Sequence, residues 1–498
     1  MAKHEIKKLA QDTAIYGLSS IVGRFVNFLL VPLYTRVLMN TGEYGIVTHL
    51  YSLTALLMVA LTYGMETGFF RFANKYRNNY QKVYSTALIT LATTSIAFVT
   101  VYSIFYAPIT SFLGYAQHPE FVTFLMFAVA MDAFASIPFA YLRFKNRPIR
   151  FVTIRLIYII GNIAFNLFFF LVCPWLMQVA PHTVDWFYNP YYSVGYIFVS
   201  NVIATTIMML FLIPEITGIK LYFSKTILFK MLRYSFPLLI LGVAGIMNQS
   251  IDRLIFPFLF EDQEFAKSEL GIYGACFKVA MIMMMFTQAF RYAYEPFVFA
   301  QYKSKTSKAA YAAAMKYYII FSLLIFLGMM FYLDFIKLLI HESYWEGLKI
   351  IPIVLWAYIF QGIYFNLSIW YKLKDKTMYG ALFAGIGLAV TLTIQIVFVP
   401  IYSYMASAWA AFVCFFVMML LSYFVGQRYM PIRYDFRTIG LYVSVALALF
   451  GASFLVDTQY LIIKYAYRTF LLALFFVLII KRDFPLSEIP VVKRFVRK

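Results

Sequence analysis

KLKDKTMYGALFAGIGLAVTLTIQIVFV, residues 372–399, places three lysines within five positions and then runs from Tyr379 to Val399 without a charge. As a helix rising 1.5 Å per residue, the uncharged part crosses about 30 Å, the hydrocarbon thickness of a bilayer. Lys and Arg are retained on the cytoplasmic side during insertion, so the lysines fix which end faces inward. The same unit recurs outward in both directions. The apolar stretches fall at about 13–38, 45–64, 85–107, 119–142, 151–173, 193–214, 232–257, 271–297, 313–334, 350–371, 379–399, 402–425, 437–455 and 464–481. Their connectors switch between cation-rich and nearly cation-free.

The cation-rich set holds 31 of the 42 Lys and Arg: the N-terminus, 71–84, 142–150, 215–233, 298–316, 372–376, 426–437 and the C-terminal tail. Lys267, Lys337, Lys349 and Lys464 are the cations of the opposite connectors. Both termini are therefore expected to be cytoplasmic and the span count even. The start lacks a small-residue cleavage site, so the first span is expected to be kept. With 63% hydrophobic and 13% charged residues, the chain lies far from a soluble protein, which carries about 25% charged residues. The net charge of +20 is spread over strips at membrane edges, where it meets anionic headgroups. A nucleic-acid surface would be one continuous patch.

The expected fold is an all-α polytopic membrane protein of about 14 transmembrane helices. Tyr44-Gly45 opens span two and Glu66 closes it. Tyr273-Gly274 and Glu295 do the same in span eight, at a constant offset of 229 that Phe70 and Phe299 also keep. The repeat is parallel, and parallel halves enclose a substrate site near the bilayer midplane. It divides the chain into an N-lobe (1–225, helices 1–6), a C-lobe (226–430, helices 7–12) and two appended helices with a basic tail (431–498). Pro32, Pro237 and Pro352 fall within spans and are expected to bend them.

Charge inside a span costs about 2.5–3.5 kcal/mol at the helix centre, so such residues face protein or a watery cavity. Arg24 lies near the middle of span one with Asn27 one turn on. Lys278 lies two turns into span eight, and Asp252 and Arg253 end span seven with Asn248 on the same face. These point to a cationic cavity, Arg24, Lys278 and Arg253, for an anionic group such as a diphosphate. The structural alternative pairs Asp132 of span four with Arg24 or Lys278, and Asp252 with Arg253. Asn27, Asp132, Asn248 and Asp252 are the polar or coupling candidates. Arg291 and Glu295, at i,i+4, suit a gate ion pair. Glu66 either pairs with Arg71 or stands at a gate. Arg155 and Arg468, near span ends, are expected to snorkel.

Several chemistries are missing from the text. No Gly-Lys dipeptide and no Asp-x-Asp occurs, the five histidines show no zincin spacing, and Cys173, Cys276 and Cys414 read as packing residues. No metal site, cofactor or catalytic group is expected.

Four short stretches carry a resemblance. They are Ser235-Phe236-Pro237-Leu238, Asn248-Gln249-Ser250-Ile251-Asp252-Arg253, Gly271-Ile272-Tyr273-Gly274 and Tyr294-Glu295-Pro296-Phe297. With Tyr16-Gly17, Pro32-Leu33-Tyr34-Thr35-Arg36 and Glu43-Tyr44-Gly45, they resemble the polysaccharide-biosynthesis and O-antigen flippases of the multidrug/oligosaccharidyl-lipid/polysaccharide exporter superfamily. The resemblance implies two six-helix lobes, alternating access and residence in the bacterial inner membrane. It also implies an undecaprenyl-diphosphate-linked oligosaccharide as substrate, moved to the periplasmic leaflet. Na+ or H+ as coupling ion and glycan-assembly proteins as partners go with it. In some relatives the last two helices form a groove for the lipid tail. The rivals are a cation-coupled multidrug exporter, which needs an acidic cavity, and a membrane glycan polymerase or ligase, which needs a sizeable outer loop.

Overall fold

A computed structural model describes residues 23, 25, 26, 28–301, 307–374, 376–456 and 460–483. Among them there is helix and no strand. Among the described residues, twelve helices are long and apolar enough to cross a membrane, and Phe436–Ala452 is a shorter apolar one. The principal helices are α1 (Leu30–Val37), α2 (Thr41–Thr62), α3 (Tyr80–Ile104), α4 (Pro119–Phe144), α5 (Pro148–Leu167), α6 (Gly195–Thr217) and α7 (Lys225–Ile255). They continue as α8 (Gln263–Gln301), α9 (Ser307–Phe331), α10 (Ile351–Leu367), α11 (Met378–Tyr402), α12 (Tyr404–Tyr429), α13 (Phe436–Ala452) and α14 (Leu461–Arg482). Large apolar side chains stand exposed along many of them, such as Ile96, Leu210, Phe236 and Ile396. A helix satisfies its backbone internally, so hydrocarbon can solvate those side chains.

Local chemistry sets the helix ends. Asn40 caps α2 by accepting from Glu43 N at 3.0 Å. Glu43 Oε2 accepts from Met39 N at 2.9 Å, so the third residue of the helix also ties down the chain just before the cap. The span expected over 45–64 stops at Thr62, because Tyr63 (φ 32°) and Gly64 (φ 70°) are left-handed. Glu66 thus sits in the first turn of a separate helix, Met65–Lys75. Pro237 lies inside α7 as expected, whereas Pro352 opens α10, where its missing N–H costs no helical bond.

The chain groups into two compact units, 1–275 with 391–406 and 276–390 with 407–498. In the first, α4 packs against α2, α3, α5 and α6, and α7 lies along α2. Tyr84 and Tyr141 stack there at 4.2 Å. The N-terminal ends of α2 and α8 cross at backbone distance: a Cβ on Gly45 would fall 1.8 Å from Lys267 O, and one on Gly271 1.8 Å from Thr41 O. Thr41 and Ser268 hydroxyls join across this crossing at 2.6 Å. Small residues allow such an approach in membranes, where dispersion and hydrogen bonds replace the hydrophobic effect.

In the second unit α13 and α14 pack on α9. Asp483, at the end of α14, takes Lys316 Nζ of α9 at 2.5 Å and Tyr442 Oη of α13 at 2.6 Å. One carboxylate therefore clasps all three helices. The three cysteines are buried as thiols.

Candidate functional site

The charged residues singled out from the sequence differ in what the structure places beside them. Arg24 and Asn27 lie outside the described residues, as does the Glu295 side chain. The gate pair with Arg291 therefore also lies outside them.

At the end of α7 the structure brings Asp252 and Arg253 together. Arg253 Nε donates to Asp252 Oδ1 at 3.3 Å, and Tyr273 Oη donates to Asp252 Oδ2 at 2.6 Å. Arg253 also donates to Gln249 O. Asp252 is 6% exposed, so these donors satisfy carboxyl oxygens that burial removes from solvent. Asn248, one turn earlier, donates to Ala244 O at 3.1 Å. Arg253 is thus a shared charge. Lys278 belongs to the second unit and is half-buried on α8. Arg291 places its guanidinium 5.1 Å from the Phe365 ring.

Asp132 lies in the interior of α4, and the cation whose charge reaches it is Arg155 of α5. Arg155 itself is exposed, 5.1 Å from the Phe139 ring. Glu66 pairs with Arg143 of α4, while Arg71 stacks on Tyr234 at 4.0 Å. A partner 77 positions away in sequence displaces the local i+5 choice.

Arg468 corrects an expectation. It does not snorkel: it is 8% exposed and donates to Phe331 O at 3.0 Å and Asp334 Oδ2 at 3.1 Å. Lys464 and Lys337 reach the same carboxylate at 3.1 and 3.5 Å. Burial alone would raise the Asp334 carboxyl, but the Lys464 hydrogen bond and the charges of Lys464, Lys337 and Arg468 hold it below its ordinary value. The signal was in the text. Lys337 and Lys464 are two of the four cations in otherwise cation-free connectors, and charge against the topological rule needs a local partner.

His49 was also missed. It is 1% exposed, with Nδ1 2.8 Å from Tyr115 Oη and Nε2 3.2 Å from Leu254 O. A carbonyl only accepts, so Nε2 carries the proton and Nδ1 accepts from Tyr115. The ring thereby ties α2 to the α3–α4 connector and to the end of α7.

The second unit also holds a hollow of about 610 Å³ between α10, α12 and α13, lined by apolar and aromatic groups including Trp356, Phe360, Phe412, Phe424, Val443 and Leu447. No group of three or more His, Cys, Asp or Glu suited to a metal occurs among the described residues.

A sequence family described as polysaccharide biosynthesis protein matches residues 9–296, more than half of the chain. The chain belongs to the polysaccharide biosynthesis protein family. Among curated proteins, none matches it. Among solved structures, this polysaccharide biosynthesis protein is similar to one titled as the lipid II flippase MurJ in an inward closed conformation. The TM-score is 0.73 at 15% identity, covering 95% of this chain and 99% of that one. An inward-facing multidrug resistance MATE transporter of the MOP superfamily matches at TM-score 0.63 and 10% identity, covering 81% and 95%. An outward-facing one matches at 0.58 and 12%, covering 84% and 94%. The polysaccharide biosynthesis protein therefore has the fold of these transporters, and its structural neighbours are transporters rather than enzymes.

Proposed function

We propose that this protein is a flippase carrying an undecaprenyl-diphosphate-linked oligosaccharide from the cytoplasmic to the periplasmic leaflet by alternating access, for assembly of a surface polysaccharide such as O-antigen. The observation that carries the reading is family membership in polysaccharide biosynthesis on a transporter fold. Its chemistry rests on cations at bilayer depth. Arg24 and Lys278 supply the positive charge that a diphosphate needs on leaving water, and Arg253 contributes what Asp252 leaves. Glu66 with Arg143, and Arg291 with Glu295, act at the ends of the path. Asp132 and Asp252 are the carboxylates available to a coupling Na+ or H+.

The apolar hollow beside α13 supports a cargo with a hydrocarbon tail, which stays in lipid while the headgroup crosses. A ligand drives such a cycle only by binding the two access states differently. An exporter of organic cations would favour carboxylates where this chain has Arg and Lys.

Cells lacking the protein should accumulate the lipid-linked glycan in the cytoplasmic leaflet and lose the surface polymer, and re-expression should restore both. Normal surface glycan together with lost efflux of organic cations would replace the flippase reading by the exporter.

A further inference from the structure

We propose that the hollow at the cation-rich ends of α5 and α6 binds an anionic phospholipid, with the phosphodiester at Arg147 and Arg150 and an acyl chain along Ile154, Ile157 and Phe211. These five residues and Thr153 line an open cavity of about 570 Å³, within the usual range for a small-molecule site of roughly 300–1,000 Å³.

The four cations of the strip 142–150 have different fates. Arg143 is committed to Glu66, and Lys145 donates to Tyr80 Oη at 2.6 Å and covers that ring at 4.1 Å. The other two line the cavity. Arg150 is held in place by Glu215, which is 5% exposed and takes Nε at 2.7 Å and Nη2 at 3.1 Å. A guanidinium has five N–H donors, so this clamp orients Arg150 while leaving donors for a phosphate. Arg147 stands exposed at the rim. Two of the four strip cations thus line the cavity, Arg150 while clamped by the Glu215 carboxylate and Arg147 at the exposed rim.

Apart from Asn146 and Thr153, the remaining wall is hydrocarbon in character. Phe211 is 50% exposed and Ile149, at the same rim, 77%. Positive charge at the membrane edge above apolar wall at acyl depth matches one kind of occupant, a lipid with a net negative headgroup. Basic residues near an anionic leaflet gain about 1 kcal/mol each. The inference concerns lipid occupancy and stands apart from the identity of the cargo.

The test is native mass spectrometry of the delipidated full-length protein titrated with phosphatidylglycerol or phosphatidylcholine. Wild type should favour phosphatidylglycerol. Arg147→Ala should weaken that lipid about fivefold, the factor equivalent to about 1 kcal/mol, and leave phosphatidylcholine unchanged. Phe211→Ala should weaken both, with the melting temperature of each variant kept. Undiminished phosphatidylglycerol binding by Arg147→Ala, or no headgroup preference in wild type, would overturn the proposal. Displacement of the lipid by inorganic phosphate would assign the site to a free anion and overturn it equally.

Discussion

Gly271→Val should force α2 and α8 apart and cost the purified protein about 3 kcal/mol, the upper end of ordinary overpacking. The reason is what lies opposite. The added Cβ meets Thr41 O at 1.8 Å and Thr41 C at 2.8 Å, both backbone, so no side chain can swing away. Gly45 meets Lys267 O in the same fashion, and Gly45→Val should behave alike. The Thr41–Ser268 hydroxyl contact across the same crossing would be lost as well. Gly245→Ala is the matched control. A Cβ there has nothing within 4 Å, and removing a mid-helix glycine gains roughly 0.5–1 kcal/mol. Thermal unfolding in detergent should therefore move in opposite directions for Gly271→Val and Gly245→Ala. Equal shifts would mean that the crossing does not hold the first unit together.

Asp334→Asn should be the most damaging single charge change in the second unit. Three cations converge on this carboxylate, and one of them, Arg468, is buried. Stranding a buried charge costs about 3–5 kcal/mol; we expect about 3, because Asp334 is one-third exposed and solvent screens it. Arg468→Met added to Asp334→Asn removes the stranded charge and should recover most of the loss, a coupling that a double-mutant cycle measures. Acid should act through the same group. Its folded pKa is depressed, so its contribution is complete above the ordinary carboxyl value of about 3.9 and fades as pH falls through the lower folded value. Wild type should lose stability over that acid range, and Asp334→Asn should lack this component of the loss. A variant as stable and as acid-sensitive as wild type would contradict it.

The twelve long apolar helices of the described residues were legible because their signal is local, whereas the expected count of 14 is not reached among them. An uncharged stretch such as Tyr379–Val399 behind Lys372, Lys374 and Lys376 needs no partner to be recognised. The break at Tyr63–Gly64 was not legible, since the flanking residues continue the apolar pattern and a lone glycine is ordinary in a membrane helix. Pro352 looked like a kink because the sequence does not mark where α10 begins. Charge pairing was the least readable layer. Glu66 chooses Arg143 over Arg71, and Arg468 chooses Asp334 over the membrane surface. Both choices are made by packing between elements far apart in the chain. Asp252–Arg253 was readable, being adjacent, and it weakens Arg253 as a free cation. His49 stayed hidden because one histidine among apolar residues has no pattern, and its partners, Tyr115 and Leu254 O, come from two other segments.

Transport of a labelled undecaprenyl-diphosphate oligosaccharide by the purified protein in sealed vesicles tests most directly the diphosphate-carrying role proposed for Arg24 and Lys278. Hydrogen bonds to charged groups contribute about 1.5–3 kcal/mol, so Lys278→Ala and Arg24→Ala should each slow translocation at least about tenfold while inserting and folding normally. Wild-type rates in both variants, or no movement of the glycan by the wild-type protein, would contradict it.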